Sequence, residues 1–206
     1  MKSIVFTFSF FLLLNTASAQ SVKALFDAEK LVFYGLDFSK AKFALPDAKP
    51  NEIKDRYFEE WHQGVMTDNA RFNKESAFQK LSVYGDPFVA KKRNAAVNVA
   101  DLVTKDDNPL SAKDIESVIA EYKDGVKKEG FGAVLIVESF NKKKEEGIAH
   151  VVLFDIATRK VLLDKRMVGK PGGGGLTNFW LRSIQNMFER MTATEFSIWK
   201  KEALGK

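Results

Sequence analysis

The sequence predicts an α/β fold: a single mixed β-sheet covered by helices, with element order β-α-β-α-β-β-β-α. Three observations carry this. In the first half, runs rich in β-branched and aromatic residues alternate with apolar stripes at helical spacing, as crossover units do. Between Ala133 and Val168 three apolar runs follow one another across short polar turns, as in a meander. A glycine-rich connector then leads into a long final helical stripe.

The run from Leu31 to Phe38 is β-branched and aromatic and reads as the first strand. Past Pro46 and Pro50, Asn51 opens a helix whose Ile53, Tyr57, Phe58, Trp61 and Val65 fall on one face, with an exit at Thr67-Asp68-Asn69. Residues 70–96 carry apolar mass interrupted by a turn at Gly85-Asp86-Pro87, and Lys91-Lys92-Arg93 reads as a surface loop. The stretch Val97–Val103 is expected to form the second strand. Ser111 and Asp114 form a capping box ahead of Ile115, Val118, Ile119, Tyr122 and Val126, a second helix that Gly130 should stop.

The run from Ala133 to Val137 has no polar residue, which suits a strand covered on both faces. Two more strands follow, Ile148–Ile156 and Val161–Val168, completing two hairpins, with Asp155 and Lys165 placed to pair across the second. From Thr177 the third helix puts Trp180, Ile184, Met187, Phe188 and Met191 on one face. The amphipathic tail carrying Phe196, Trp199 and Ala203 should either pack back or form a last helix.

Ahead of these elements stands an export leader. Lys2 is followed by an apolar stretch from Ile4 to Leu14 and by Ala17-Ser18-Ala19, the charged start, greasy middle and small-residue end of a signal peptide. Eleven apolar residues fall short of the roughly 20 that a membrane-crossing helix needs. Residues 1–19 are therefore read as a cleaved signal peptide and 20–206 as one α/β domain, exported to a periplasm or the medium, with no transmembrane segment after cleavage. Position 20 is glutamine and the chain has no cysteine, so a lipoprotein anchor, disulfides and thiolate metal sites are excluded. Loss of Lys2 lowers the net charge from +5 to +4, and the bases are interleaved with acids, as at Lys142–Glu146. A nucleic-acid surface would gather them on one face among stacking aromatics, so none is expected.

The glycine run Gly169-Lys-Pro-Gly-Gly-Gly-Gly175 enters a helix, where backbone N–H groups can cradle an anion. Leu176 and Thr177 stand where a phosphate-binding loop needs Lys and Ser/Thr, and Thr177 and Asn178 stand where a dinucleotide fingerprint needs its third glycine. No cofactor is expected. The two histidines, His62 and His150, have no metal-ligand partner at helical or hairpin spacing, so no metal is expected either. Ser139 lacks the glycines of a nucleophile elbow. Asp37, Asp101 and Glu138, near strand ends, are candidate pocket carboxylates for acid–base work. Gly173, Gly174, Phe179 and Trp180 form the candidate binding surface, because an exposed aromatic patch beside a slack loop marks a partner site.

The hairpin from His150 to Leu163 resembles the strand–turn–strand of bacterial envelope domains of the curli-secretion-lipoprotein and TolB amino-terminal type. There an apolar strand ends in Asp, a Thr-Gly turn follows, and the next strand leads to a glycine-bearing connector and a final helix. Arg159 stands where glycine is usual, and the group's lipidation cysteine is missing. The resemblance implies an accessory envelope protein that binds other proteins. The expectation is thus an exported, non-enzymatic domain binding protein or envelope components. The alternatives are a secreted hydrolase or small-ligand binder using Asp37, Asp101 and Glu138 with the glycine loop as lid, and a peripheral surface binder using Lys200, Lys201 and Lys206.

Overall fold

The computed structural model describes residues 22–104 and 109–205. The leader read over residues 1–19 lies outside the described residues, as does Lys206. After a helical turn at 22–27, the chain forms β1 (Lys30–Asp37) and β2 (Lys42–Ala44). Helix α1 runs through Pro50–Glu52, a π segment at Ile53–Tyr57 and Phe58–Thr67. Then come α2 (Lys74–Phe78), β3 (Ser82–Gly85), α3 (Phe88–Ala95), a 3₁₀ turn (Val99–Asp101) and α4 (Ala112–Ile119). The meander β4 (Phe131–Asn141), β5 (Glu146–Asp155) and β6 (Val161–Gly169) leads to α5 (Leu176–Arg190), a π segment (Met191–Glu195) and α6 (Phe196–Ala203).

The strands form one mixed sheet in the order β3-β1-β4-β5-β6, with β2 beside the far end of β4. β1 is parallel to both β3 and β4, whereas β4, β5 and β6 are antiparallel. The predicted class, one mixed sheet covered by helices, holds; the predicted order lacks β2, α2 and α3 and has its second strand displaced.

Both faces of the sheet are covered, which explains why β4 and β5 are apolar with little alternation. On one face α1, α2, α5 and α6 bury a large core in which Phe140 stacks on Trp180 at 4.5 Å and Phe38 on Phe58 at 4.4 Å. On the other, Ile115, Val118, Ile119 and Tyr122 lie over Val32, Tyr34, Val134, Ile136, Val152 and Phe154. The capping box is present: the Ser111 side chain accepts from the Asp114 N–H, and the Asp114 carboxylate accepts from the Ser111 N–H at 2.9 Å.

Four local expectations are corrected. Val97–Val103 is not a strand: Asn98 accepts from the Ala100 N–H and winds the chain into the 3₁₀ turn, leaving only a bridge from Val103 to Phe43. The second strand is β3, four largely exposed residues at the sheet edge with no alternation to announce them. Lys91-Lys92-Arg93 belongs to α3 and is not a loop. The second helix ends at Ile119, so Val126 is exposed, and Gly130 (φ +94°) instead turns the chain into β4. Asp155 and Lys165 do not pair; Asp155 accepts from Thr158, and Lys165 reaches Glu202.

Candidate functional site

Two buried polar networks and one open cleft hold the chemistry-bearing side chains. The first network stands at the end of β1. Gly35 (φ +84°) sits in a register shift between Phe33 and Leu36, where a Cβ would lie 2.4 Å from Cε1 of His62. This irregular backbone is held from the side: Asn94 accepts from the Phe38 N–H at 2.7 Å and donates to the Leu36 carbonyl at 3.0 Å. His62 Nδ1 lies 3.0 Å from that same carbonyl oxygen and 3.3 Å from the Leu36 nitrogen, and its buried Nε2 has no hydrogen-bond partner among the described residues. Burial holds the His62 pKa below its ordinary value, against the pull of the Leu36 carbonyl.

Asp37 closes this network. It is fully buried, accepts from Arg93 Nε at 2.7 Å and from the Tyr122 hydroxyl at 2.8 Å on one oxygen, and from the Ser39 N–H at 2.8 Å on the other. Burial, and then the Asp37 charge, push the Tyr122 hydroxyl pKa well above its ordinary value.

The second network centres on Glu138, the extra residue of a bulge between Val137 and Ser139 where β4 pairs with β5. Arg166 grips it bidentately, Nη2 to Oε1 at 2.7 Å and Nε to Oε2 at 3.0 Å. His150 Nε2 stands 3.2 Å from Oε2 and its Nδ1 is 2.7 Å from Asp164, while the Leu110 N–H donates to Oε2 at 3.2 Å. Burial opposes charge on both partners, and the hydrogen bonds overcome it: Glu138 is lowered to about 2 and His150 is raised to about 9. The result is an imidazolium donating to two carboxylates, with Arg166 balancing the second negative charge.

Asp101 belongs to neither network. It is exposed on the 3₁₀ turn and lines a cleft of about 330 Å³ with Lys40, Asn98 and Asp114, whereas Glu138 borders a different cleft of about 380 Å³ with Ser139, Asn141 and Arg166. The three candidate carboxylates therefore do not converge. Among the described residues no group of three or more His, Asp or Glu side chains is arranged to hold a metal ion.

At the glycine loop the arrangement differs from the expected aromatic surface. Trp180 is buried, 3% exposed, because it packs between Phe140 and Phe179; it is a core residue and not an accessible one. Phe179 is half-buried under the Lys142 ammonium, 4.4 Å from its ring. The exposed large apolar side chains include Leu81, Tyr84, Phe88 and Val126, on and around the β3 edge. Gly173 and Gly174 are exposed and line an open cleft of about 660 Å³ against α5, walled by Arg71, Lys170, Arg182, Asn178, Gln185 and Asn186. Arg71 comes from the turn after α1, where it stacks on Phe72 and donates to Gln185 at 3.2 Å and Asn178 at 3.3 Å.

His150, Asp164, Arg166, Arg93 and Tyr122 were not candidates on sequence, nor were Arg71 and Arg182. Their partners lie up to 114 positions away in the chain. The only local hints were Gly35 inside a β-branched run and Glu138 inside an apolar one. No family model matches the chain, and no curated protein matches it either. No helix among the described residues is long and apolar enough to cross a membrane.

Proposed function

We propose that this protein is an exported, non-enzymatic domain that works by binding protein or envelope components. The observation that supports this best is the state of the carboxylates. Asp37 receives Arg93, Tyr122 and the Ser39 N–H; Glu138 receives Arg166, His150 and the Leu110 N–H. A general base needs a lone pair within reach of substrate and a pKa near the working pH. Here every oxygen already accepts at least one hydrogen bond, and Glu138 is held at about 2. The open cleft beside the glycine loop is lined instead by cations and amides, groups suited to holding a partner. The leader-like first nineteen residues and the envelope-domain resemblance of the His150–Leu163 hairpin point the same way.

The test is expression of the full sequence with a carboxyl-terminal tag, followed by amino-terminal sequencing and recovery of partners from its own envelope fraction. The expected product starts at Gln20 and retains specific partners, which folded Asp37→Asn and Glu138→Gln variants retain as well. A product that keeps Met1 in the cytoplasm, or the absence of any specific partner, overturns the reading. So does turnover of a hydrolase substrate that those two variants abolish.

A further inference from the structure

The geometry points to the cleft between the glycine loop and α5 as a site for a small phosphorylated polyol or sugar. This rests on the binding role just proposed and names its ligand class. Three cationic residues from three separate places in the chain line it: Arg71 after α1, Lys170 after β6 and Arg182 on α5.

Their donors are only partly committed. Arg71 spends Nε on Gln185 and Nη1 on Asn178, and Asp68 stands 4.0 Å from its Nε. Arg182 spends Nη1 on Glu189 at 2.7 Å. The Nη2 group of each guanidinium has no hydrogen-bond partner among the described residues, nor has the Lys170 ammonium. The two carboxylates, Asp68 and Glu189, are not among the residues lining the cleft, so they orient the cations without filling it. A guanidinium offers five N–H donors in a fixed fork, and a tetrahedral oxyanion takes two or more such forks at once.

The rest of the lining defines the body of the ligand. Asn186 and the Asn178 amide nitrogen supply neutral groups suited to hydroxyls, the Gln185 amide being spent on Arg71 and Glu189, while Gly174 leaves backbone open, with nothing within 4 Å of where a Cβ would stand. A volume of about 660 Å³ is in the range of small-molecule sites and larger than an inorganic ion fills. A simple carboxylate would occupy one fork and leave the other two cations unused.

The experiment is calorimetric titration of the purified product of the full sequence with glucose 6-phosphate, glycerol 3-phosphate, inorganic phosphate, glucose, sulfate and acetate. Saturable 1:1 binding of the two phosphorylated polyols is expected, with inorganic phosphate weaker and glucose and acetate silent. The paired substitution Lys170→Gln/Arg182→Gln removes two exposed or half-exposed cations that no core contact needs, and should weaken binding tenfold or more with an unchanged thermal midpoint. Arg182→Lys alone should give an intermediate loss, since an ammonium lacks the fork. Binding that is absent for every phosphorylated probe, unchanged in the paired variant, or equal for sulfate and acetate overturns the assignment. If envelope partners are still recovered in that case, the binding role stands and only this ligand class fails; if none is recovered, both fail.

Discussion

A Cβ on Gly169 would stand 1.9 Å from the backbone oxygen of Ser183. Gly147, its partner across β5 and β6, would place a Cβ 2.3 Å from the Ser183 hydroxyl. The two glycines together form a slot in the sheet into which α5 settles, and the helix wall of the glycine-loop cleft is fixed by that contact. Gly169→Ala meets backbone, which cannot swing aside as a side chain can. It should cost about 1–3 kcal/mol in urea unfolding by forcing α5 away from β6. Gly174→Ala, in open space, should stay within about 0.5 kcal/mol.

The Asp37–Arg93 pair fixes α3 to the end of β1. Arg93→Met leaves a fully buried carboxylate with one hydroxyl and one N–H in place of its cation. The loss should be about 3 kcal/mol, at the low end for a buried pair because Arg93 is itself 17% exposed. Adding Asp37→Leu to that variant should recover part of the loss. A double variant as unstable as the summed single variants would show that the charge is not the source.

Glu138 and His150 give pH dependence at opposite ends. His150 is raised to about 9 from an ordinary 6.5, so its contribution is full below pH 6.5 and is lost as pH rises through 9. Glu138 is lowered to about 2, so its contribution is full above pH 4.5 and is lost as pH falls towards 2. His150→Gln should therefore remove the excess alkaline loss of stability, measured as the difference from the parent chain between pH 6 and 10. An unchanged alkaline limb would contradict the imidazolium assignment.

His62 behaves with the other sign. Its pKa is lowered by burial, so the neutral ring is the folded form, and stability present above pH 6.5 is lost as pH falls below it. His62→Gln should cost stability at pH 8 and flatten the profile below pH 6.5. Amide exchange at Leu36, whose N–H and carbonyl both face Nδ1, should accelerate in the parent chain over the same range.

Arg159 holds φ +58° in the turn between β5 and β6, with its N–H on the Asp155 carbonyl at 2.7 Å. This is the left-handed region, which costs a residue with a side chain about 1–2 kcal/mol. Arg159→Gly relieves it at a smaller entropic cost and should raise stability by roughly 0.5–1 kcal/mol in thermal unfolding. A drop in the midpoint would show that the arginine side chain contributes more than its hydrogen bond to the Ala157 carbonyl suggests.

The sequence alone determined the α/β class, the meander, the capping box at Ser111 and the buried stripes of α1, α4 and α5. These follow from periodicity and short-range hydrogen bonding, and both act over a few residues. It did not determine that 82–85 is a strand and 97–103 is not, because pairing at a sheet edge is decided by which backbone lies alongside. Nor could it show that Trp180 is core, that Asp37 and Glu138 are each spent on a cation, or that Arg71 and Arg182 share one cleft. Those are contacts between side chains far apart in the chain, and only the packing of helices onto the sheet brings them within a few ångströms.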